Sequence, residues 1–169
     1  MKLSTKGRYA VTAMTDLANH GGDNPVTLAE IAARQDISLS YLEQLFAKLR
    51  RAKLVHSVRG PGGGYTLAGA PAEICIADII RAVDEPIQTT RCSETSHLGC
   101  GGAMGRCLTH DLWAELGRHI HLYLSAVTLA DVVGKRVLGS AGLAGRSAAI
   151  TAPALQTPAP PQDKREARA

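Results

Sequence analysis

Residues 54–69 read as two strand-like runs, LVHSVR and YTLAG, separated by a tip, RGPGGG, that is nearly all glycine and proline. Glycine turns a chain where larger residues cannot, because it tolerates positive φ. The stretch predicts a β-hairpin with a bare tip, and what precedes it must be arranged to carry that hairpin. A phosphate cradle for a nucleotide is the other use of such a loop. It needs a strand before, a helix after and usually a lysine within. Here a strand-like YTL follows, which favours the hairpin.

The chain before the hairpin has helical periods. GRYAVTAMTDLANH places Ala10, Met14 and Leu17 at spacings of four and three, and GGDNP after it is a turn cluster. Thr27 with Glu30 forms a capping box that opens a short helix through Leu28, Ile31 and Ala32. Gln35, Asp36 and Ile37 break it. Ser38 is expected to cap a second helix with the apolar face Leu42, Leu45, Phe46 and Leu49. A short helix, a tight turn, a longer helix and then a hairpin make a winged helix-turn-helix. The expected fold class is therefore mainly α with a small β-wing, followed by a long dimerisation helix.

The other face of the second helix carries Ser40, Tyr41, Gln44, Lys48 and Arg51. Short polar groups come first and bases last. That order suits a recognition helix, whose first turns meet base edges and later turns meet phosphates. An ordinary solvated surface would also place cations near a helix C-terminus, where the dipole favours them. In the hairpin, Arg59 stands at the base of the tip, placed to enter a minor groove, and Gly60 leaves the approach to a phosphate backbone open. Glu43 lies among these groups. A carboxylate there accepts from cytosine N4, or repels phosphate and excludes wrong sites; a solvated Glu beside a base is the plainer reading. The DNA-binding candidates are Ser38, Ser40, Tyr41, Glu43, Gln44, Lys48, Arg51, Arg59 and Gly60.

Charge agrees, though weakly. Residues 1–66 hold nine Lys and Arg against five Asp and Glu, residues 67–134 four against eight, and residues 135–169 six against two. A basic first half suits an anionic partner, most commonly nucleic acid. The longest apolar runs are too short to span a membrane, and MKLSTKGRYA lacks the apolar region of a secretory signal. The expected compartment is the cytoplasm, whose reducing conditions discourage structural disulfides.

RCSETSHLGCGGAMGRCLTH, residues 91–110, concentrates three of the four cysteines, spaced Cys92-x7-Cys100-x6-Cys107-x2-His110. Soft thiolates with an imidazole select zinc or an iron–sulfur cluster. A structural zinc site usually has a closer cysteine pair than any here. A sulfide-bridged iron pair spans a wider site, and the interleaved glycines let a loop wrap it. Three unrelated thiols, or a redox disulfide pair, are the competing readings.

MKLSTKGRYAVTAM, ISLSYLEQLF, VRGPGGGY and CLTH together resemble the IscR family, the iron–sulfur cluster-sensing winged-helix repressors. The resemblance covers roughly residues 1–134. It implies a homodimer bound to double-stranded DNA and one 2Fe-2S cluster per chain, donated by the cluster assembly machinery. Cys92, Cys100 and Cys107 would be its thiolate ligands and His110 its imidazole ligand. It further implies that cluster occupancy selects promoters, chiefly those of cluster assembly genes. The gaps between cysteines are longer than is usual in the family, which leaves His97 as a second imidazole in the stretch. A neutral imidazole ligand makes a cluster less negative and raises its potential. It must be deprotonated to bind, so occupancy should fall with acid.

Beyond CLTH, Leu112, Trp113, Leu116, Ile120, Tyr123, Leu124 and Val127 recur at threes and fours, predicting a helix of about five turns that needs a partner. The same helix of a second subunit is the natural one; the protein's own core is the alternative. His119 and His121 read as surface or interface residues. Cys75, among Ile74, Ile76, Ile79 and Ile80, reads as a core residue. The expected organisation is 1–70 winged helix-turn-helix, 71–134 cluster loop and dimerisation helix in the same domain, and 135–169 a disordered tail rich in Ala, Gly and Pro. A related sensor of nitric oxide, iron level or zinc is the rival function. An enzyme or electron carrier would leave RGPGGGY and the polar helix face unexplained.

Overall fold

The structure is a computed structural model, and it describes residues 5–22, 24–84 and 108–137. Helix α1 (Thr5–His20) is the central strut. Its Ala10, Ala13, Met14 and Leu17 are buried against four other helices and the hairpin. Two small alanines on that face let neighbours approach closely, while Met14 and Leu17 fill the remaining volume.

Helix α2 (Leu28–Gln35) begins at the expected capping box. Glu30 N–H donates to Thr27 Oγ1 at 3.2 Å, and Thr27 N–H donates back to Glu30 Oε2 at 2.8 Å. The helix stops at Asp36, which takes the left-handed conformation at φ 53° and donates its N–H to Ala32. Asp is one of the residues that accepts this conformation at modest cost. α3 (Leu39–Arg51) follows and buries Leu42, Leu45, Phe46 and Leu49, the face its period predicts. Ser38 stands at its N-cap position, but its side chain does not cap the helix. Its carbonyl instead accepts from Tyr41 and Leu42. The Ser38 hydroxyl is therefore not committed to the helix end.

The hairpin pairs β1 (Val55–Val58) with β2 (Gly64–Leu67) antiparallel, in register from Val55↔Leu67 to Val58↔Gly64. Gly60 and Gly62 have positive φ, as the tip requires. Gly63 and Gly64 do not, contrary to expectation, and are needed for another reason. A Cβ at Gly64 would collide with the Val26 carbonyl, and one at Gly63 with the carbonyls of Val58 and Gly60. The close approach at Gly64 exists because β2 pairs outward too. Val26 N–H donates to Tyr65 O at 3.0 Å, and Tyr65 N–H donates to Val26 O at 2.8 Å. The Tyr65 ring then meets Phe46 of α3 edge-on, 4.8 Å between centroids. The wing is thus bonded to the start of α2 and packed on α3.

The chain next enters α4 (Ile76–Ala82), whose Ile76, Ile79 and Ile80 join the core. It returns through α5 (His110–Ala126) and α6 (Leu129–Val133). α5 is the expected helix of about five turns, and a short further helix follows it. α5 ends at Ala126, Val127 is extended, and a second capping box, Thr128 with Asp131, opens α6. Leu129 is fully buried. The entry to α4 and the exit from α5 are tied together. Cys75 bridges Thr128, Ile76 N–H donates to Val127 O at 3.0 Å, and Leu129 N–H donates to Ile74 O at 2.8 Å. Cys75 is only half-buried at this neck; its neighbours Ile74 and Ile76 make the cross-bonds, while its own carbonyl accepts from Asp78 and Ile79 of α4. Burial still pushes its thiol above the ordinary value. The expected tail lies beyond Val137 and outside the described residues apart from its first three.

Candidate nucleic-acid interface and ligand stretch

The polar face of α3 and the wing tip are both exposed. Ser38, Ser40, Glu43, Gln44, Arg51, Arg59 and Gly60 are all solvent-exposed. Their positions follow from the helix period: the residues that pack Leu42, Leu45, Phe46 and Leu49 inward turn these outward. Tyr41 is half-buried. Its ring meets Tyr9 of α1 edge-on at 6.0 Å, so α1 steadies the first turn of α3.

Lys48 differs from the simple phosphate contact its sequence position implies. Its Nζ donates to Asp84 Oδ2 at 2.7 Å, just past the end of α4. That bond raises the Lys48 ammonium above its usual pKa and holds the Asp84 carboxyl below the usual range. Lys48 therefore belongs to an internal ion pair as well as to the basic face.

Sequence reasoning passed over three residues of this surface. Leu39, first in α3, leaves its apolar side chain exposed between Ser38 and Ser40. Arg50 reaches Ser57 of β1, Nη1 to Oγ 3.4 Å. Lys53 sits at φ 61° in the turn between α3 and β1, fully outward. The run KLRRAK carried the signal for both bases. Arg50, Arg51, Lys53 and Arg59 make the end of α3 and the wing the basic part of the surface.

Cys92, Cys100, Cys107 and His97 lie outside the described residues. His110 is described and is the first residue of α5, half-buried. The Thr109 side chain does not cap this helix end, where backbone amides favour negative charge. By residue type alone, three thiolates and an imidazole are a donor set suited to an iron–sulfur cluster. Among the described residues, no group of three or more His, Cys, Asp or Glu is gathered to hold a metal ion.

The family description Rrf2, iron-dependent transcriptional regulator, matches residues 3–135. The chain is 53% identical over 136 residues to the HTH-type transcriptional regulator IscR of Yersinia pestis, covering 80% of this chain and 81% of that one. The chain belongs to the Rrf2 family and is an IscR-type transcriptional regulator. Among solved structures, IscR of T. potens superposes with a TM-score of 0.64 at 41% identity, over 80% of this chain and 88% of that one. CymR, the global cysteine regulator of B. subtilis, superposes at 0.66 with 36% identity, over 80% and 98%. These relatives are regulators and not enzymes, and the family implies DNA binding.

Among the described residues, the helix α5 of this Rrf2 chain leaves much of its apolar face exposed. α5 has no buried residue. Leu112 is 63% exposed and Trp113 44%, with Leu116 and Leu122 outward as well. Only its C-terminal part, at Leu124 and the following Val127, packs on the core. His119 and His121 are exposed, as expected, and His119 Nε2 lies 2.9 Å from Glu115. No helix among the described residues is long and apolar enough to cross a membrane.

Proposed function

We propose that this IscR-type regulator is a cytoplasmic, homodimeric, cluster-responsive repressor or activator of iron–sulfur cluster assembly genes. Cys92, Cys100, Cys107 and His110 would hold one 2Fe-2S cluster per chain, received from the assembly machinery. A bound cluster supplies an iron centre whose occupancy follows iron, sulfide and oxidant levels. The chain's own residues do the rest. Ser38, Ser40, Tyr41, Glu43 and Gln44 meet base edges, with Glu43 rejecting wrong sites. Lys48, Arg51, Arg59 and Gly60 meet the phosphate backbone and minor groove.

The observation that carries this reading is the place of His110. It heads α5, whose apolar face is exposed among the described residues, so its orientation and the proposed dimer contact share one helix. Residues 1–70 serve as the DNA-binding region and 71–134 as the sensing and pairing region of the same domain, with 135–169 as a tail.

The test is anaerobic purification, a visible spectrum, and assays of iron, sulfide and zinc. About two irons and two sulfides per chain, lost in His110→Ala, is the expected result. Full occupancy in His110→Ala and loss in His97→Ala would reassign the fourth ligand. A colourless protein with one zinc would overturn cluster sensing and leave the regulator of another signal.

A further inference from the structure

One carboxylate at the C-terminal end of the recognition helix collects cations from two helices. Asp84 takes Lys48 at 2.7 Å, and the charges of Lys6 on α1 and Arg51 on α3 also act on it. Asp84 sits in the left-handed conformation at φ 55°, immediately after α4, and lines a groove with Lys48, Arg51, Leu54 and Arg81. The pair is open to water, with side-chain exposures of 30% for Lys48 and 75% for Asp84. Exposed pairs of this kind contribute little to stability. Its consequence is instead for the basic face. A lysine that already faces a carboxylate has lost much of its attraction for phosphate and releases fewer counterions when DNA arrives.

We propose that Asp84 is a positioning residue for DNA binding: its carboxylate stands where a backbone phosphate would meet Lys48, and so limits the affinity and salt dependence of α3. This rests on the reading of α3 as the DNA-contacting helix. Asp84 holds the Lys48 ammonium at 2.7 Å. Removing the charge frees the ammonium for phosphate.

The test uses the full chain, a short labelled duplex of mixed sequence, and fluorescence anisotropy across a salt series. Asp84→Asn keeps the left-handed conformation, which Asn also accepts. It is expected to bind about three- to tenfold tighter at low salt, with the slope of log K against log salt steeper by about one. Lys48→Met in the Asp84→Asn background is expected to cancel the gain. Glu73→Gln removes an equal charge from an exposed position that bonds the Ala70 amide and is expected to change affinity less than about twofold. An Asp84→Asn affinity equal to wild type, a gain that survives Lys48→Met, or an equal gain from Glu73→Gln would each overturn the proposal. Wild-type protein that binds no duplex even at low salt would overturn the DNA reading of α3 itself.

Discussion

Arg34 of α2 grips Asp16 of α1 from two sides of its guanidinium: Nε lies 3.1 Å from both carboxylate oxygens and Nη2 lies 2.7 Å from Oδ2. Gln35 adds a bond of 2.7 Å to Oδ1. The Asp16 side chain is 1% exposed, the only buried charged residue of the described core. Burial alone would push its carboxyl up, but the bonds from Arg34 and Gln35 outweigh burial and hold it below the usual range. A depressed carboxyl stabilises the fold above its unfolded pKa of about 3.9, and that stability is lost as pH falls through the lower folded value. Asp16→Asn should flatten the acid limb of a stability–pH curve in that window. Arg34→Ala, which leaves the carboxylate buried, should cost about 2–3 kcal/mol at neutral pH, below the fully buried range because Arg34 is itself partly exposed. Urea melts at several pH values check both.

The wing glycines should separate by mechanism. Gly62 has φ +73° with open space around it. Gly62→Ala should therefore cost only the left-handed penalty, about 1 kcal/mol. Gly64→Ala drives a methyl into the Val26 carbonyl and must break the Val26–Tyr65 pairing. A cost of about 2–4 kcal/mol is expected, with the wing loosened from α2. Thermal melts of the two variants should rank accordingly, and amide exchange at Tyr65 should rise only in Gly64→Ala.

The face of α5 should govern assembly without governing the monomer fold. Leu112→Glu with Leu116→Glu introduces charge at two exposed apolar positions of α5. Sedimentation should show dimer converting to monomer, with helical circular dichroism retained. Leu129→Ala, at a fully buried site on the neighbouring α6, should instead cost about 2–4 kcal/mol of stability.

Base-reading and phosphate-holding residues should respond differently. Gln44→Ala should reduce discrimination between sites by about 1–3 kcal/mol at the contacted base, with little change in salt slope. Arg51→Ala should weaken all duplexes alike and lower the slope by about one. Arg59→Ala should cost most on A·T-rich flanks, where a narrow minor groove favours guanidinium. Salt titrations with matched and mismatched duplexes separate the three.

Local signals were legible and long-range ones were not. The Thr27–Glu30 box and the α3 stripe need only neighbours three and four residues apart, and both stand as read. The Thr128–Asp131 box has the same form, yet it went unread because it follows directly on the apolar stripe of α5. Gly64 read as a turn residue because its true constraint, the Val26 carbonyl, comes from a segment nearly forty residues earlier in the chain. Lys48 read as a free base because its partner, Asp84, is 36 residues away. The exposed polar face of α3 was recognisable from its period alone. Leu39 escaped because an apolar residue at a polar position carries no periodic signal of its own.

The neck at Cys75 and Thr128 also sets how the chain can vary. The segment from Ile76 to Val127 is closed at its two ends by backbone bonds that side-chain changes do not remove. A loop closed in this way tolerates insertion cheaply, since doubling its length costs only about 0.6 kcal/mol of closure entropy. A longer spacing between Cys92, Cys100 and Cys107 is therefore expected to cost little closure entropy. The excursion can be rewritten for a new stimulus while the helix-turn-helix and wing on the other side of the junction keep their fold.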